Sequence, residues 1–311
     1  MKLVVIGGGT GLYTLLSGLK KFNFDITAIV STADSGGSSG ILRDEYGMLP
    51  PGDIRKCIVA LSESEQLLRK LFAHRFDKGG LKGHSFGNLL ITALTEITGS
   101  FEQAIKEAEK ILSVKGKVLP CTLDNVTLCA LLENKKKVKG QVEVNKSRIY
   151  NNSRIKKLYM QPKAKAYKPA IKAIKEAEVI ILGPGSLYTS VLPNLLVSGI
   201  SKAINKSKAK KVYVVNIMTE HGETDGFTAS QHVNEVEKYL QGQLDYVIVN
   251  TAKAPENLMK KYQEEYKSQV IPDIEKIKAK NKVIKGDFLR RKNLLRHDSY
   301  KLAKVIHNIK L

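Results

Sequence analysis

The stretch Met1-Lys2-Leu3-Val4-Val5-Ile6-Gly7-Gly8-Gly9-Thr10-Gly11 decides the fold class. A short apolar run stops in glycines, and Leu12, Leu15, Leu16 and Leu19 then recur at helical spacing. A strand with no polar face, followed at once by a tight turn and a helix, opens a βαβ unit, because crossover helices cover both of its faces. The pattern repeats along the chain. Residues 26–30 run into Ser31-Thr32-Ala33-Asp34, and Glu178-Val179-Ile180-Ile181-Leu182 ends in Gly183-Pro184-Gly185. Residues 211–215 end in Asn216, and residues 245–249 end in Asn250. Residues 51–113 read as mostly helical, with 101–112 amphipathic, and 299–309 carries the apolar stripe Leu302, Val305, Ile306, Ile309. This alternation predicts an α/β fold with a doubly wound, mostly parallel Rossmann-like sheet.

The 311 residues are expected to form a single α/β domain over 1–311. With 42% hydrophobic and 26% charged residues, disorder as the global state is excluded. No apolar run reaches the roughly 18–20 residues of a membrane span. The apolar amino terminus is too short for a signal sequence and reads as a first strand. Cys57, Cys121 and Cys129 show neither a CxxC pair nor metal spacing, which points to a reducing, cytoplasmic setting.

Fifty-one Lys and Arg against 30 Asp and Glu give a net charge of +21. Such a balance suits phosphate-bearing or polyanionic partners, although a lysine-rich proteome produces it equally well. The excess is uneven. Residues 135–175 hold 14 basic side chains and one acid, Glu143. Val142, Val144, Ile149, Ile155 and Leu158 lie among them, and Asn151-Asn152-Ser153 is a turn signal. We expect short strands joined by basic turns, a small β-rich basic lobe over 118–165. Its lysines read first as a solvated face and second as an anion patch. Few aromatics interleave with them, which argues against nucleic acid.

In an open parallel sheet, ligands bind beyond the carboxyl ends of the strands. Gly8, Gly9, Thr10 and Gly11 follow strand one there, where backbone N–H groups and a helix amino terminus favour phosphate. Glycine there also answers steric needs. The spacing fails the GxGxxG dinucleotide fingerprint, since the third position is Leu12 or Thr14. Asp34-Ser35-Gly36-Gly37-Ser38-Ser39-Gly40 is a loop of small residues with one acid. Asp34 can hold Mg²⁺ or a hydroxyl, or simply cap an Asx-turn. Asp53, after Pro50-Pro51-Gly52, lies near a helix start and reads equally as a cap. Arg43 and Arg55 can hold phosphates. Ser85, Gly87 and Asn88 open another helix, beside His84. Gly185 and Ser186 sit in a second glycine and hydroxyl loop, and Asn216 and Thr219 in a third. There is no Walker A lysine, HExxH or GxSxG.

Taken in order, Gly7-Gly8-Gly9-Thr10-Gly11, Asp34-Ser35-Gly36-Gly37-Ser38, Pro51-Gly52-Asp53-Ile54-Arg55, Gly83-His84-Ser85-Phe86-Gly87-Asn88, Gly183-Pro184-Gly185-Ser186, Asn216-Ile217-Met218-Thr219, Gly222-Glu223-Thr224-Asp225-Gly226-Phe227 and Arg296-His297-Asp298 resemble the YvcK-type gluconeogenesis factors. These are relatives of 2-phospho-L-lactate transferase in the CofD-like superfamily. The resemblance covers essentially the whole chain.

It implies a cytoplasmic nucleotide-sugar-binding regulatory protein linked to carbon metabolism and cell shape, taking a UDP-sugar such as UDP-N-acetylglucosamine. The alternative it implies is a Mg²⁺-dependent transferase moving a phospholactyl-type group from a nucleoside diphosphate-linked donor to a hydroxyl acceptor. Whether the chain is an enzyme is left open. The nucleotide or its phosphates would meet Gly8, Gly9, Thr10, Gly11, Ser35, Gly36, Gly37, Ser38, Ser85, Gly185, Ser186, Asn216 and Thr219. Tyr262 would stack on the base and Arg296 would lie beside it. Asp34, Asp53 and Asn88 would be catalytic in the transferase case, with Asp34 and Asp53 as metal ligands. No cofactor is required beyond an optional Mg²⁺, and GDP or NAD are alternative ligands. A regulatory protein partner and a homo-oligomer fit the same reading. Ser299 is expected to cap the last helix.

Overall fold

The computed structural model describes residues 1–278, 282–291 and 294–309. Its strands are β1 (Lys2–Gly7), β2 (Asp25–Val30), β3 (Lys117–Pro120), β4 (Thr127–Leu132), β5 (Lys137–Lys139), β6 (Ile155–Gln161), β7 (Val179–Leu182), β8 (Lys210–Val214), β9 (Tyr246–Asn250), β10 (Lys282–Gly286), β11 (Leu289–Arg291) and β12 (Leu295–His297). Seven of them form one sheet in the order β10-β9-β8-β7-β1-β2-β3, and every neighbouring pair is parallel. The doubly wound α/β fold expected from the strand pattern is therefore present. The chain winds outward from β1 in one direction through β2 and β3, then returns to β7 and winds the other way. The switch lies between β1 and β7, where such a sheet leaves a crevice.

Period-two alternation explains how fully apolar strands serve both faces. Leu3, Val5, Val179 and Ile181 enter one hydrophobic cluster with Leu12, Leu15 and Ile54. Val4, Ile6, Ile180 and Leu182 enter the other, with Val191, Leu192 and Val233. The first cluster is covered by the helices Gly9–Leu19, Gly52–Leu61 and Ser299–His307, the second by Lys168–Glu176, Leu192–Leu196 and Ala229–Leu240. Each such side chain contributes about 1.5–3 kcal/mol on burial, so the strands are fixed from both sides.

The basic lobe is a three-stranded antiparallel sheet in the order β5-β4-β6. Leu128, Ala130, Leu132, Leu158 and Met160 join the second cluster, while Lys156 and Lys157 face solvent. Within the span expected for the lobe, Lys117–Pro120 pairs instead with β2 at the edge of the main sheet. The expectation of strands joined only by turns also needs correction. Two short helices, Gln141–Asn145 and Ser147–Asn151, connect β5 to β6. Val142 and Val144 alternate like a strand, but two residues are too few to set a period, and of the pair only Val144 is buried. Gly140, at φ 101°, turns the chain into the first of these helices, and Asn152, at φ 44°, ends the second.

Ser299 does not cap the last helix. Asp298 does, its Oδ1 accepting the N–H groups of Tyr300 and Lys301 at 3.0 Å each. A carboxylate one residue earlier satisfies two orphan donors and also meets the positive end of the helix dipole. Among the described residues, no helix is long and apolar enough to cross a membrane.

Candidate functional site

Two loops meet at the switch point. Helix Gly9–Leu19 begins directly after β1, and residues 183–186 follow β7. They pack so closely that a Cβ on Gly11 would lie 2.5 Å from the Pro184 carbonyl oxygen. A Cβ on Gly8 would lie 2.5 Å from Asp53 Oδ2. Gly11 is therefore demanded by packing against backbone, whatever ligand approaches it, whereas a side chain at Gly8 would require the Asp53 carboxylate to move. Asn216, after β8, clamps the second loop. Its Oδ1 accepts the Gly185 N–H at 3.2 Å and its Nδ2 donates to the Gly185 carbonyl at 2.8 Å.

The crevice holds two cavities with a common wall. One, of about 320 Å³, is lined by Thr10, Gly11, Gly185, Ser186, Asn216, Tyr262 and Arg296, with Lys267 and Glu220. The other, of about 440 Å³, is lined by Gly9, Thr10, Asp34, Asp53 and Ser186, with Lys56, Ser190, Gln141, Asn145 and Lys146. Thr10 and Ser186 belong to both. Residues separated by some 250 positions, Thr10 and Tyr262, thus line one cavity.

In the first cavity Tyr262 is fixed by its hydroxyl. It accepts the Leu295 N–H at 3.0 Å and faces the Leu295 carbonyl at 3.5 Å. That ties the helix Glu256–Glu264 to β12, whose next residue is Arg296. Arg296 is exposed and has no ion-pair partner among the described residues. Lys267 is held by Glu220 at 3.3 Å and Glu265 at 3.0 Å.

In the second cavity Asp34 accepts the Gly36 N–H at 3.0 Å through Oδ1, the expected Asx-turn. Burial, and then the Asp53 charge, push the Asp34 carboxyl above the usual range, while Gly36 and Ser39 pull it back. Asp53 lies in the first turn of the helix Gly52–Leu61, after a cap at Pro51, and Lys56 Nζ binds its Oδ1 at 2.9 Å. Among the described residues, no group of three or more His, Cys, Asp or Glu is arranged as a metal site. Asp34 and Asp53 line this one cavity, and Mg²⁺ where it binds one or two carboxylates keeps several waters and takes its remaining ligands from substrate phosphates.

Other residues singled out in the sequence lie outside these linings. Asn88 is buried; its Oδ1 accepts from Arg55 Nε at 2.9 Å and its Nδ2 donates to Ser38 Oγ at 3.1 Å. Ser38 Oγ also meets His84 Nδ1 at 3.2 Å, and Ser85 caps the helix Phe86–Thr98 through the Asn88 N–H. Ser35 Oγ accepts the Gln141 N–H at 3.0 Å. Gly36 and Gly37 lead into the helix Gly37–Tyr46. Thr219 is paired with Ser268 and buried. None of these residues lines either cavity. Arg55 is a correction: its guanidinium donates to Asn88 and the Phe72 carbonyl, inside the protein. Arg43 likewise donates to Asn125 and Thr127.

Sequence reasoning missed Lys56, whose i,i+3 spacing from Asp53 was a usable signal. It also missed the contribution of the lobe. Gln141, Asn145 and Lys146 line the second cavity, and Gln141 Nε2 donates to the Thr189 carbonyl at 3.1 Å. Glu223 joins lobe and sheet. Its carboxylate accepts from the Tyr188 N–H, from Asn145 Nδ2 at 2.9 Å and from Thr189 Oγ1 at 3.3 Å. Burial, and then Glu220, push this carboxyl up to about 7.

The family described as 2-phospho-L-lactate transferase CofD matches residues 3–289 of this chain. A gluconeogenesis factor of Bacillus subtilis is 45% identical over 310 residues, covering 98% of this chain and 96% of that protein. One of Halalkalibacterium halodurans is 46% identical over 309 residues, covering 98% and 95%. The crystal structure of a UPF0052 family member from Bacillus halodurans superposes with a TM-score of 0.94 at 45% identity, covering 98% of each chain. That structure and the present one share the parallel sheet and the antiparallel lobe. The chain belongs to the CofD family, in the branch of the gluconeogenesis factors.

Proposed function

We propose that this protein is a nucleotide-sugar-binding regulatory protein whose ligand is a UDP-sugar such as UDP-N-acetylglucosamine. One observation carries the reading: Tyr262 and Arg296, far apart from the glycine loops in sequence, line the same cavity as Thr10, Gly11, Gly185 and Ser186. The diphosphate lies over these loops, where backbone N–H groups and the start of a helix favour anions. The base sits against Tyr262, with Arg296 pairing with the nucleotide. The sugar reaches past Thr10 and Ser186 into the second cavity, where Gln141, Asn145 and Ser190 offer donors and acceptors to its hydroxyls. Relatives named gluconeogenesis factor support a link to carbon metabolism. Cell shape, a cytoplasmic setting and a regulatory protein partner belong to the same reading.

Isothermal titration of the full chain with UDP-N-acetylglucosamine, guanosine diphosphate and NAD, each with and without Mg²⁺, tests it. Selective, metal-independent uridine binding is expected, weakened at least roughly tenfold in Arg296→Ala by loss of a charge-assisted contact. Absence of uridine binding at millimolar ligand would refute the reading.

A second reading, a transferase of the phospholactyl type, is favoured by the Asp34–Asp53 pair facing the second cavity. Mg²⁺ held there would neutralise diphosphate charge. An acceptor hydroxyl attacks the donor phosphorus, its bond to the nucleoside monophosphate breaks, and the hydroxyl proton leaves to a base or water. Release of nucleoside monophosphate that depends on Mg²⁺ and acceptor, and is lost in Asp34→Asn, is the outcome that would replace the first reading by this one.

A further inference from the structure

Alongside the helices Lys168–Glu176 and Ile200–Lys206, which precede β7 and β8, lies an open pocket of about 730 Å³. Five lysines from two chain segments converge on it: Lys165, Lys175, Lys202, Lys206 and Lys208. Among the described residues, no acidic side chain lines it. Its floor is apolar and small, formed by Ala166, Ile171, Ala177, Gly199 and Ala203. The carboxylates closest in sequence are engaged elsewhere. Glu176 pairs with Lys2 at 3.6 Å and with Lys172 at 3.9 Å, and Glu178 with the amino terminus at 3.9 Å. Asp124 Oδ2 accepts the backbone N–H of Lys165 at 2.7 Å. Among the described residues, none of the five ammonium groups has an ion-pair partner.

A solvated lysine face needs no concavity, and a packing defect needs no charge. Both occur here together. Like charges around a low-dielectric wall focus their field into the hollow and raise the local concentration of anions. The volume falls in the range of roughly 300–1,000 Å³ typical of small-molecule sites. Lysines act as point charges, so they accept a phosphate or a carboxylate without demanding a fixed fork geometry. The aliphatic floor gains by covering hydrocarbon.

We propose that this cavity is a second ligand site, separate from the crevice, for a small anionic amphiphile. Its phosphate or carboxylate head meets the lysines, and its short apolar body lies on the floor from Ala166 to Ala203. The site stands independently of what the crevice binds, because the two share no lining residue.

The test is isothermal titration of the full chain with octyl phosphate, inorganic phosphate and octyl glucoside, which separates head, tail and both together. Saturable binding of octyl phosphate is expected, with the other two at least roughly tenfold weaker, since each lacks one of the two contributions. The triple variant K175E/K202E/K206E, altered only at exposed positions, loses that binding and keeps the wild-type thermal midpoint and uridine titration. Should the crevice bind no uridine nucleotide, the thermal midpoint alone certifies the fold, so the two proposals fail separately. Four results would overturn this one: no saturable binding of octyl phosphate at millimolar concentration, undiminished binding in the triple variant, inorganic phosphate binding as tightly as octyl phosphate, or co-sedimentation with phosphatidylglycerol vesicles without binding of the free amphiphile.

Discussion

In the central sheet β7 buries all four of its residues, whereas in the lobe β6 buries only Leu158 and Met160 of seven. The first strand is sandwiched between two helical layers. The second packs one face on the core and shows Lys156 and Lys157 to water. Yet Leu158 and Met160 enter the same hydrophobic cluster as Ile180 and Leu182. A strand that looks peripheral by composition is thus continuous with the core, and the lobe is held where it walls the crevice.

Truncation in the two regions gives the largest expected effect. Ile181→Ala and Leu158→Ala should each cost about 2–5 kcal/mol, because each opens a cavity under a fully packed surface. Since the lobe shares the core, urea unfolding of both variants should remain a single transition. Two transitions in Leu158→Ala would break the comparison and make the lobe a unit of its own.

The seam between them comes next. The folded-state pKa of Glu223 lies above its unfolded value of 4.5, at about 7. Between those values the folded protein keeps a proton that the unfolded chain has released, so stability falls as pH rises through that window. The effect reaches at most about 3 kcal/mol above pH 7. Glu109, also raised to about 7 by burial, adds the same sign. His232 and His297, each lowered to about 4 by burial, add the opposite sign below pH 6.5. Glu223→Gln, with Asn145 free to turn its amide and offer Oδ1, should flatten the fall in melting temperature between pH 5 and pH 8, as thermal melts across that range would register. An unchanged slope would show that Glu223 is ionised throughout.

Gln141→Ala is the smallest and the sharpest. It removes the donation to the Thr189 carbonyl and the long acceptance of the Ser35 N–H, at a cost of about 1 kcal/mol in stability. If the lobe wall touches the bound sugar, affinity for UDP-N-acetylglucosamine in the same titration should drop by roughly three- to tenfold. Equal affinity in both proteins would remove the lobe from the binding surface.

The sheet was legible because a parallel strand must be apolar on both faces, and runs such as Val179-Ile180-Ile181-Leu182 carry that requirement without help from distant residues. The first glycine loop was legible for a related reason: Gly11 lies where any side chain would collide with the Pro184 backbone. Short segments carried less. Val142 and Val144 resembled a strand and belong to a five-residue helix. Strands β3 and β10 at the two sheet edges gave no usable pattern in so few residues. Arg43 and Arg55 offered charge in the right neighbourhood, but sequence carries no information on which way a long side chain turns.

The sequence by itself determined the alternation of apolar strands and helices, the placement of small residues at strand ends, and the concentration of charge in residues 135–175. These depend on local period and composition. Only the tertiary structure decided that Asp34 and Asp53 share one cavity while Asn88 lies outside its lining, that Tyr262 and Arg296 reach the first glycine loop, and that the lobe supplies Gln141 and Lys146 to the crevice. Those are contacts between residues tens to hundreds of positions apart. They are set by strand order and by the close packing of whole elements, which no local period encodes.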